Sequence, residues 1–155
     1  MSVFESIKQK LNQAGIVYST EHHDPTRTSE DAARIRGVAL HSGAKALVLC
    51  GSKTKACWLF VMPADLKLDS KKVKQIVGEN VSFAESPEKI TGCVPGSVPP
   101  FGSIVGLRTY CDKRLAENEE INFNAGSLTD SIRMKYLDYL ATEQPELVDI
   151  TQHAE

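Results

Sequence analysis

The sequence has no marked charge excess, no long apolar run and no closely paired cysteine motif. Its formal net charge is −2 over 155 residues, so no overall basic field recruits nucleic acid. No apolar run approaches the length of a membrane span, and the N-terminus has no signal-peptide core. With 41% hydrophobic and 25% charged residues, the chain has the composition of an ordinary globular protein.

The four cysteines predict neither a disulfide framework nor a metal site. None lies in C-x-x-C spacing, and none has a histidine at the spacing of zinc ligands. Cys50 and Cys57 stand at the ends of apolar runs, where a free cysteine behaves as a small hydrophobic side chain. We therefore expect reduced thiols, no bound metal and no cofactor. Together with the missing signal-peptide core and membrane span, the reduced thiols lead us to expect a cytoplasmic protein.

Familiar catalytic and nucleotide-binding motifs are also missing. The sequence contains no G-x-S-x-G elbow, so serine-hydrolase chemistry of that type has no support. It contains neither a phosphate-binding loop of the Walker A type nor an H-E-x-x-H zinc motif. Any chemistry must therefore come from residues that do not form one of these signatures.

Charge is distributed unevenly along the chain. Residues 51–75 contain six lysines and two acids, whereas residues 143–155 contain four acids and no lysine or arginine. A local basic face can bind phosphates even on an acidic protein, although a solvated lysine-rich helix is the alternative interpretation. His153 lies in the acidic stretch, where we expect it to be solvated.

Hydrophobic periodicity and capping residues predict a mixture of helices and strands. Ser2, Thr28 and Asp69 each precede a helical pattern as N-cap residues. The predicted helices cover 3–14, 28–37, 69–77, 87–91 and 136–141, and the predicted strands 16–21, 45–50, 58–62, 81–83, 104–110, 120–123 and the surroundings of 132. Because helices and strands do not alternate regularly, the pattern favours an α+β (mixed α/β) fold, with a single domain over residues 1–155.

The loop from Gly96 to Gly102 has the sequence G-S-V-P-P-F-G, which fixes an unusual backbone shape. Pro99 and Pro100 lock φ near −65° and remove two N–H donors. Gly96 and Gly102 can adopt positive φ or allow a ligand close to the main chain, with Phe101 held between them. Such a loop suits the presentation of backbone groups to a small ligand, and a rigid crossover between strands is the alternative.

Lys45 opens the otherwise apolar run 46–49, directly after the small-residue turn 42–44. Its aliphatic stem is then expected to lie in the interior, with the ammonium group at the edge of a cleft. A strand-end lysine that simply reaches solvent is the alternative interpretation.

Taken together, these motifs resemble those of the YbaK-like (YbaK/ProX) aminoacyl-tRNA deacylases, relatives of the editing domain inserted in bacterial prolyl-tRNA synthetases. The segments 63–65, 68–69 and 123–127 extend the resemblance, which runs from about residue 16 to about residue 148. It implies a curved, barrel-like mixed sheet flanked by helices. It also implies a trans-editing hydrolase that removes the amino acid from mischarged tRNA. The implied partners are the 3′ end of an aminoacyl-tRNA and, as a further candidate, a synthetase.

The resemblance also implies roles for particular residues. Lys45 matches the family's essential lysine and would hold a phosphate or ester oxygen of the tRNA end, while backbone N–H groups near Gly102 would stabilise the ester carbonyl or hold the attacking water. Further residues expected to bind substrate are Ser42, Gly96, Pro100, Phe101, Asn124, Ser127 and His22. The loop sequence resembles the deacylases of the alanyl-tRNA(Pro) type more than the cysteine-directed branch of the family. Ala46 stands where some members have asparagine, which leaves the amino-acid selectivity open.

Two other functions remain open at this point. The first is a non-catalytic module that captures tRNA ends or synthetases without turnover. The second is a generic esterase, which the absence of a nucleophile paired with histidine disfavours. For Asn124 and Ser127, an ordinary turn is an alternative, since small polar residues are common there. His22 and His23 are adjacent in a predicted strand, so at most one of them can face a given cleft.

Overall fold

The computed structural model describes residues 1–26 and 28–152, so that His153 lies outside it. None of the helices in this part of the chain is both long and apolar enough to cross a membrane. The helices are α1 (Val3–Gln13), α2 (Ser29–Arg36), α3 (Ser70–Val77), α4 (Pro87–Thr91), α5 (Gly102–Val105) and α6 (Tyr136–Glu143). The strands are β1 (Tyr18–His22), β2 (Ala44–Gly51), β3 (Cys57–Pro63), β4 (Val81–Phe83), β5 (Thr109–Asp112), β6 (Glu120–Asn124), β7 (Asp130–Lys135) and β8 (Glu146–Val148).

The helix ends follow the local chemistry that the sequence predicts. The side chains of Ser2 and Thr28 accept hydrogen bonds from the backbone N–H groups of Glu5 and Asp31, at 3.1 and 3.0 Å. Each bond satisfies an N–H group that the first helical turn leaves without a partner. Gly37 ends α2 in the left-handed conformation, with φ of 66°, which glycine adopts without strain. These two helices therefore begin and end where the sequence places them.

The strands form two sheets. The smaller is antiparallel, in the order β1-β7-β6. The larger has the order β4-β2-β3-β5-β8, antiparallel from β4 to β3 and parallel from β3 to β8. A parallel bridge between Gly43 and Asn122 joins the two sheets. The α+β class is confirmed. The expected barrel-like sheet is not, because the described strands form two sheets and do not close into a barrel.

Two hydrophobic cores lie on the two faces of the larger sheet. Because side chains alternate along a strand, Leu59 and Val61 of β3 enter one core, whereas Phe60 and Met62 enter the other. The first core also contains side chains from α1, both sheets and α6, and its centre holds the ring of Phe101. The second core lies under α3.

Two elements differ from the sequence prediction. The strand expected over 104–110 starts as the short helix α5, and only Thr109–Asp112 is extended. The first turn of α5 is held by Glu143, whose carboxylate accepts a hydrogen bond from the Ser103 N–H at 3.0 Å. The short strand β8 was not expected, and it pairs with β5 at the end of the larger sheet.

Two of the four cysteines are paired, which corrects the expectation of free thiols. Cys50 and Cys57 face each other across β2 and β3 and form a disulfide. Cys93 and Cys111 are free and buried, and burial raises the pKa of the Cys111 thiol to about 12. Neither buried thiol is therefore a reactive thiolate at neutral pH.

Candidate active site

A cavity of about 690 Å³ opens along the first half of β2, between α2, the end of β6 and the loop that follows α4. β4 pairs only with Leu49–Gly51 at the other end of β2. The residues of β2 that line the cavity are Ala44, Lys45, Ala46 and Leu47. The cavity thus occupies the part of the β2 edge that β4 does not cover.

Lys45 lines this cavity from the start of β2, where it pairs with Met62 of β3. Lys45 is exposed. Within residues 1–26 and 28–152, no hydrogen bond or ion pair engages its ammonium group. Its charge is therefore available to an anionic or strongly polar ligand in the cavity.

The N-terminal half of the Gly96–Gly102 loop, called the glycine-proline loop below, lines the same cavity through Gly96 and Val98, together with the preceding Pro95. Gly96 has φ of 85°, the left-handed conformation that the sequence analysis allowed for it. In the described part of the chain, the N–H groups of Gly96 and Val98 have no hydrogen-bond partner. Lys45 and Gly96 therefore share one cavity, and two residues of its wall, Gly96 and Val98, have unused backbone donors.

The C-terminal half of the loop belongs to the core. Pro100, Phe101 and Gly102 are buried and do not line the cavity. The Phe101 ring packs against Phe123 and Tyr139, with ring centroids 5.6 and 5.3 Å apart. The Tyr139 hydroxyl donates to the Pro100 carbonyl oxygen at 2.7 Å. Pro100, Phe101 and Gly102, for which we expected contact with the substrate, therefore lie in the core.

Gly102 is occupied by contacts within the fold. Its N–H donates to the Thr109 hydroxyl oxygen at 2.9 Å, so this group is not free to contact a ligand. A Cβ atom at Gly102 would overlap with the carbonyl oxygen of Leu107 and the hydroxyl of Thr109. Unlike Gly96, Gly102 does not adopt positive φ. Close packing, rather than contact with a ligand, explains why glycine stands here.

The other expected substrate-binding residues are scattered. Asn124 lines the cavity, and Ser42 lies directly behind its wall, where its hydroxyl accepts a hydrogen bond from Asn122 at 2.8 Å. Ser127 stabilises the turn between β6 and β7 by donating to Asp130 at 2.7 Å. His22 is 77% exposed, and its hydrogen bond to the same carboxylate holds the pKa of Asp130 below its usual range. Neither Ser127 nor His22 lines the cavity.

Arg36, in the last turn of α2, is a cavity residue that the sequence analysis missed. Its guanidinium donates to Ser131 Oγ and Asn122 Oδ1, both at 2.8 Å, and to Asn124 Oδ1 at 2.5 Å. Burial lowers the pKa of Arg36 to about 10, against the opposing effect of Glu21, so the group stays charged at neutral pH. In the sequence, Arg36 looks like any basic residue at a helix C-terminus.

The chain matches known editing proteins over most of its length. Residues 23–142 match the aminoacyl-tRNA editing domain. A protein of Escherichia coli (strain K12) named as a multifunctional Ser/Thr-tRNA deacylase, ProXp-y, is 38% identical over 150 residues, covering 93% of this chain and 90% of the relative. The prolyl-tRNA editing protein ProX of Acetoanaerobium sticklandii is 30% identical over 145 residues, covering 89% and 88%.

A solved structure of similar fold points to the same family. A crystal structure described as that of a candidate trans-editing enzyme for prolyl-tRNA synthetase superimposes with a TM-score of 0.83 at 25% identity, covering 99% of both chains. The resemblance inferred from Lys45 and the glycine-proline loop is confirmed, and with it the expected class of tRNA-editing hydrolase. The chain belongs to the family of aminoacyl-tRNA editing domains.

Proposed function

We propose that this protein hydrolyses the ester bond between a wrongly attached amino acid and the 3′-terminal ribose of a tRNA, releasing the free amino acid and intact tRNA. The observation that carries the proposal is the shared cavity of Lys45 and Gly96 in a member of this family. Its volume of about 690 Å³ falls within the range of small-molecule sites, which suits a terminal nucleoside with its amino acid.

Lys45 and the loop at Gly96 would act on different parts of the substrate. The Lys45 ammonium is a compact charge suited to a phosphate or ester oxygen of the tRNA end. Gly96 and Val98 line the cavity, and their unused N–H groups are proposed as donors for the carbonyl oxygen as negative charge develops on it. They take the place of the Gly102 N–H, which is bound to Thr109.

Hydrolysis at such a site needs no protein nucleophile. The oxygen of a water molecule bonds to the ester carbonyl carbon, and the bond from that carbon to the ribose oxygen breaks. The departing ribose oxygen takes up the proton that the water loses. The neighbouring ribose hydroxyl of the substrate can orient the water and accept its proton while passing its own proton to the departing oxygen, which accounts for a site without a nucleophile–histidine pair.

The preferred amino acid is proposed to be small and to carry a hydroxyl group. One side of the cavity is lined by Thr26, Thr28 and Ser29, and β2 contributes the small side chains Ala44 and Ala46. A small cavity excludes larger side chains by size, and polar groups favour a substrate that can bond to them. The 38% identical relative is named as a Ser/Thr-tRNA deacylase. The alanyl-tRNA(Pro) preference expected from the loop stays a prediction to be tested beside serine and threonine.

The proposed ligand is the 3′ end of an aminoacyl-tRNA, and association with a synthetase remains a prediction. We place the protein in the cytoplasm because aminoacyl-tRNA is made and used there. The cysteine content no longer supports that location, since Cys50 and Cys57 are paired in the structure.

A deacylation assay over a panel of tRNAs charged with serine, threonine, alanine or the matching amino acid tests this function. Lys45→Ala should lower kcat/KM on the best mischarged substrate by about 10²-fold, a typical loss for one charge-stabilising group. The melting temperature should barely change, because Lys45 is exposed. Lys89→Ala, at an exposed lysine outside the cavity, is the matched control.

Two results would contradict the proposal. If the protein binds charged tRNA but turns over none of the panel, it is a capture module rather than a hydrolase. If Lys45→Ala keeps wild-type turnover, the cavity around Lys45 is not the reaction site.

A further inference from the structure

We propose that Arg36 is a positioning residue, which acts through Asn122 and Asn124 to hold the segments carrying Lys45 and Gly96 in fixed relation across the cavity. The kinetic part of this proposal rests on the proposed function, whereas its structural part does not.

Arg36 contacts two side chains of β6. Asn122 and Asn124 are two positions apart on one strand, so both side chains lie on the same face. Arg36 Nη1 donates to Asn122 Oδ1 at 2.8 Å and Nη2 donates to Asn124 Oδ1 at 2.5 Å, while Nε donates to Ser131 at 2.8 Å. The planar guanidinium thus uses three of its donors on two neighbouring strands, a pattern that a lysine ammonium cannot reproduce.

Arg36 also fixes the orientation of the side-chain amides of Asn122 and Asn124. An amide side chain has an acceptor oxygen on one side and a donor NH₂ on the other. Because Arg36 takes both oxygens, the NH₂ groups point toward the cavity walls. Asn122 Nδ2 donates to Ser42 Oγ at 2.8 Å, and Asn124 Nδ2 donates to the Gly96 carbonyl oxygen at 2.7 Å. Without Arg36, either amide could rotate and lose its bond to the wall.

Each of these two cavity walls carries a group that is proposed to act on the substrate. Ser42 ends the short 3₁₀ turn that leads directly into β2, and its hydroxyl also donates to the Ala39 carbonyl oxygen at 2.6 Å. Gly96 is the left-handed residue whose N–H is unused. One arginine therefore connects the approach to Lys45 with the loop at Gly96, and displacements of about 1 Å between reacting groups can cost about 10² in rate.

A purely structural role for Arg36 has different consequences. Its bond to Ser131 lies beside the bond between that hydroxyl and His23 Nε2, at 2.6 Å, so Arg36 also supports the smaller sheet. If support of the sheet were its only role, substitutions would lower the melting temperature and leave the turnover of the folded protein unchanged. Positioning instead predicts a loss of kcat that Asn124 shares.

The test uses Arg36→Lys, Asn124→Ala and the double variant in the deacylation assay, well below the lowest melting temperature. We expect kcat to fall about 10- to 100-fold in each single variant with KM changed less than about threefold. The double variant should be no more than about twofold worse than the poorer single variant, because both break one connection. Arg34→Gln is the control, since Arg34 is 75% exposed, bonds Asp31 on its own helix and does not line the cavity.

Amide hydrogen exchange supplies a readout that does not depend on activity. Exchange at the Ser97 amide, which donates to the Val94 carbonyl oxygen at 3.0 Å, should become faster in Arg36→Lys and Asn124→Ala but not in Arg34→Gln. Exchange at residues 42–46 should become faster in Arg36→Lys alone, because Asn124 does not contact that wall. If no charged tRNA is a substrate, the proposed function fails while the exchange data still decide this inference.

Additive kinetic losses, or unchanged exchange at both walls, would overturn the positioning role. If Arg36→Lys does not fold, Asn124→Ala decides alone, because it removes only the link to Gly96. Wild-type kcat and wild-type exchange in that variant would then refute the proposal.

Discussion

Replacing Gly102 by alanine should destabilise the fold rather than selectively slow the reaction. The added Cβ would overlap with the carbonyl oxygen of Leu107 and the hydroxyl of Thr109. Leu107 N donates to the Gly102 carbonyl oxygen at 2.9 Å, and Thr109 in turn donates to Glu143 at 2.7 Å, so neither neighbour can move independently. The methyl group must therefore displace bonded groups at the start of α5.

The size of the effect follows from two contributions. Overpacking a tightly filled interior costs about 1–3 kcal/mol in the free energy of unfolding. Weakening the buried hydrogen bond from Gly102 N to Thr109 adds about 1 kcal/mol. The total is about 2–4 kcal/mol. At about 2–4 °C per kcal/mol for a domain of this size, the melting temperature should fall by about 4–16 °C.

Urea unfolding of the wild type, Gly102→Ala and Gly37→Ala measures this difference. Gly37→Ala is the control for loss of a glycine without crowding, because Gly37 has φ of 66° and no heavy atom within 4 Å of the added Cβ. It should cost about 1–2 kcal/mol, the ordinary cost of the left-handed conformation for a residue with a Cβ atom. If Gly102→Ala keeps the wild-type urea midpoint yet loses turnover, the packing argument is wrong and Gly102 acts on the substrate.

Three further predictions concern charged groups. Burial disfavours protonation of His41, but hydrogen bonds to Asp65 and Glu117 outweigh this effect and raise the pKa of His41. The protonated side chain therefore stabilises the fold fully below the ordinary histidine pKa, and this stabilisation is lost as the pH rises through the raised pKa. His41→Asn should therefore lose most stability relative to wild type near pH 5.5 and progressively less toward pH 8.5, and a constant difference in thermal unfolding would contradict this. Lys71→Glu should lower the salt dependence of tRNA binding by about one unit of slope. Lys72→Ala should instead lower the unfolding free energy, because its ammonium donates within the fold at 2.9 and 3.0 Å. An unchanged slope in a binding titration of Lys71→Glu would assign that lysine to solvation only.

Elements set by neighbouring residues could be predicted from the sequence, and elements set by distant ones could not. The cap at Thr28, the stop at Gly37 and the β2–β3 hairpin depend on residues a few positions away, and all three are present. The helix α5 was missed because the Ser103 N–H is bonded by Glu143, which is 40 residues further along the chain. β8 was missed because it depends on pairing with β5.

The residues of the candidate site also fall into those that could be predicted from their local sequence and those that could not. Lys45 and Gly96 could be found because a lysine before an apolar strand and a glycine before two prolines are unusual in their local context. Arg36 could not be found, since its partners lie 86 to 95 residues away. Gly102 was misinterpreted because a glycine required by a ligand and a glycine required by close packing look identical in a sequence.

The bridge between Gly43 and Asn122 lies where the two sheets meet, beside the cavity. Lys45 belongs to one sheet and Asn124 to the other, so the width of the cavity depends on how far apart the sheets stand. Side chains such as Ile121 and Val48, which lie in the core shared by both sheets and do not line the cavity, set that separation. Evolution can therefore retune which amino acid such a protein removes by exchanging core residues of different volume, while every residue that touches the substrate stays the same.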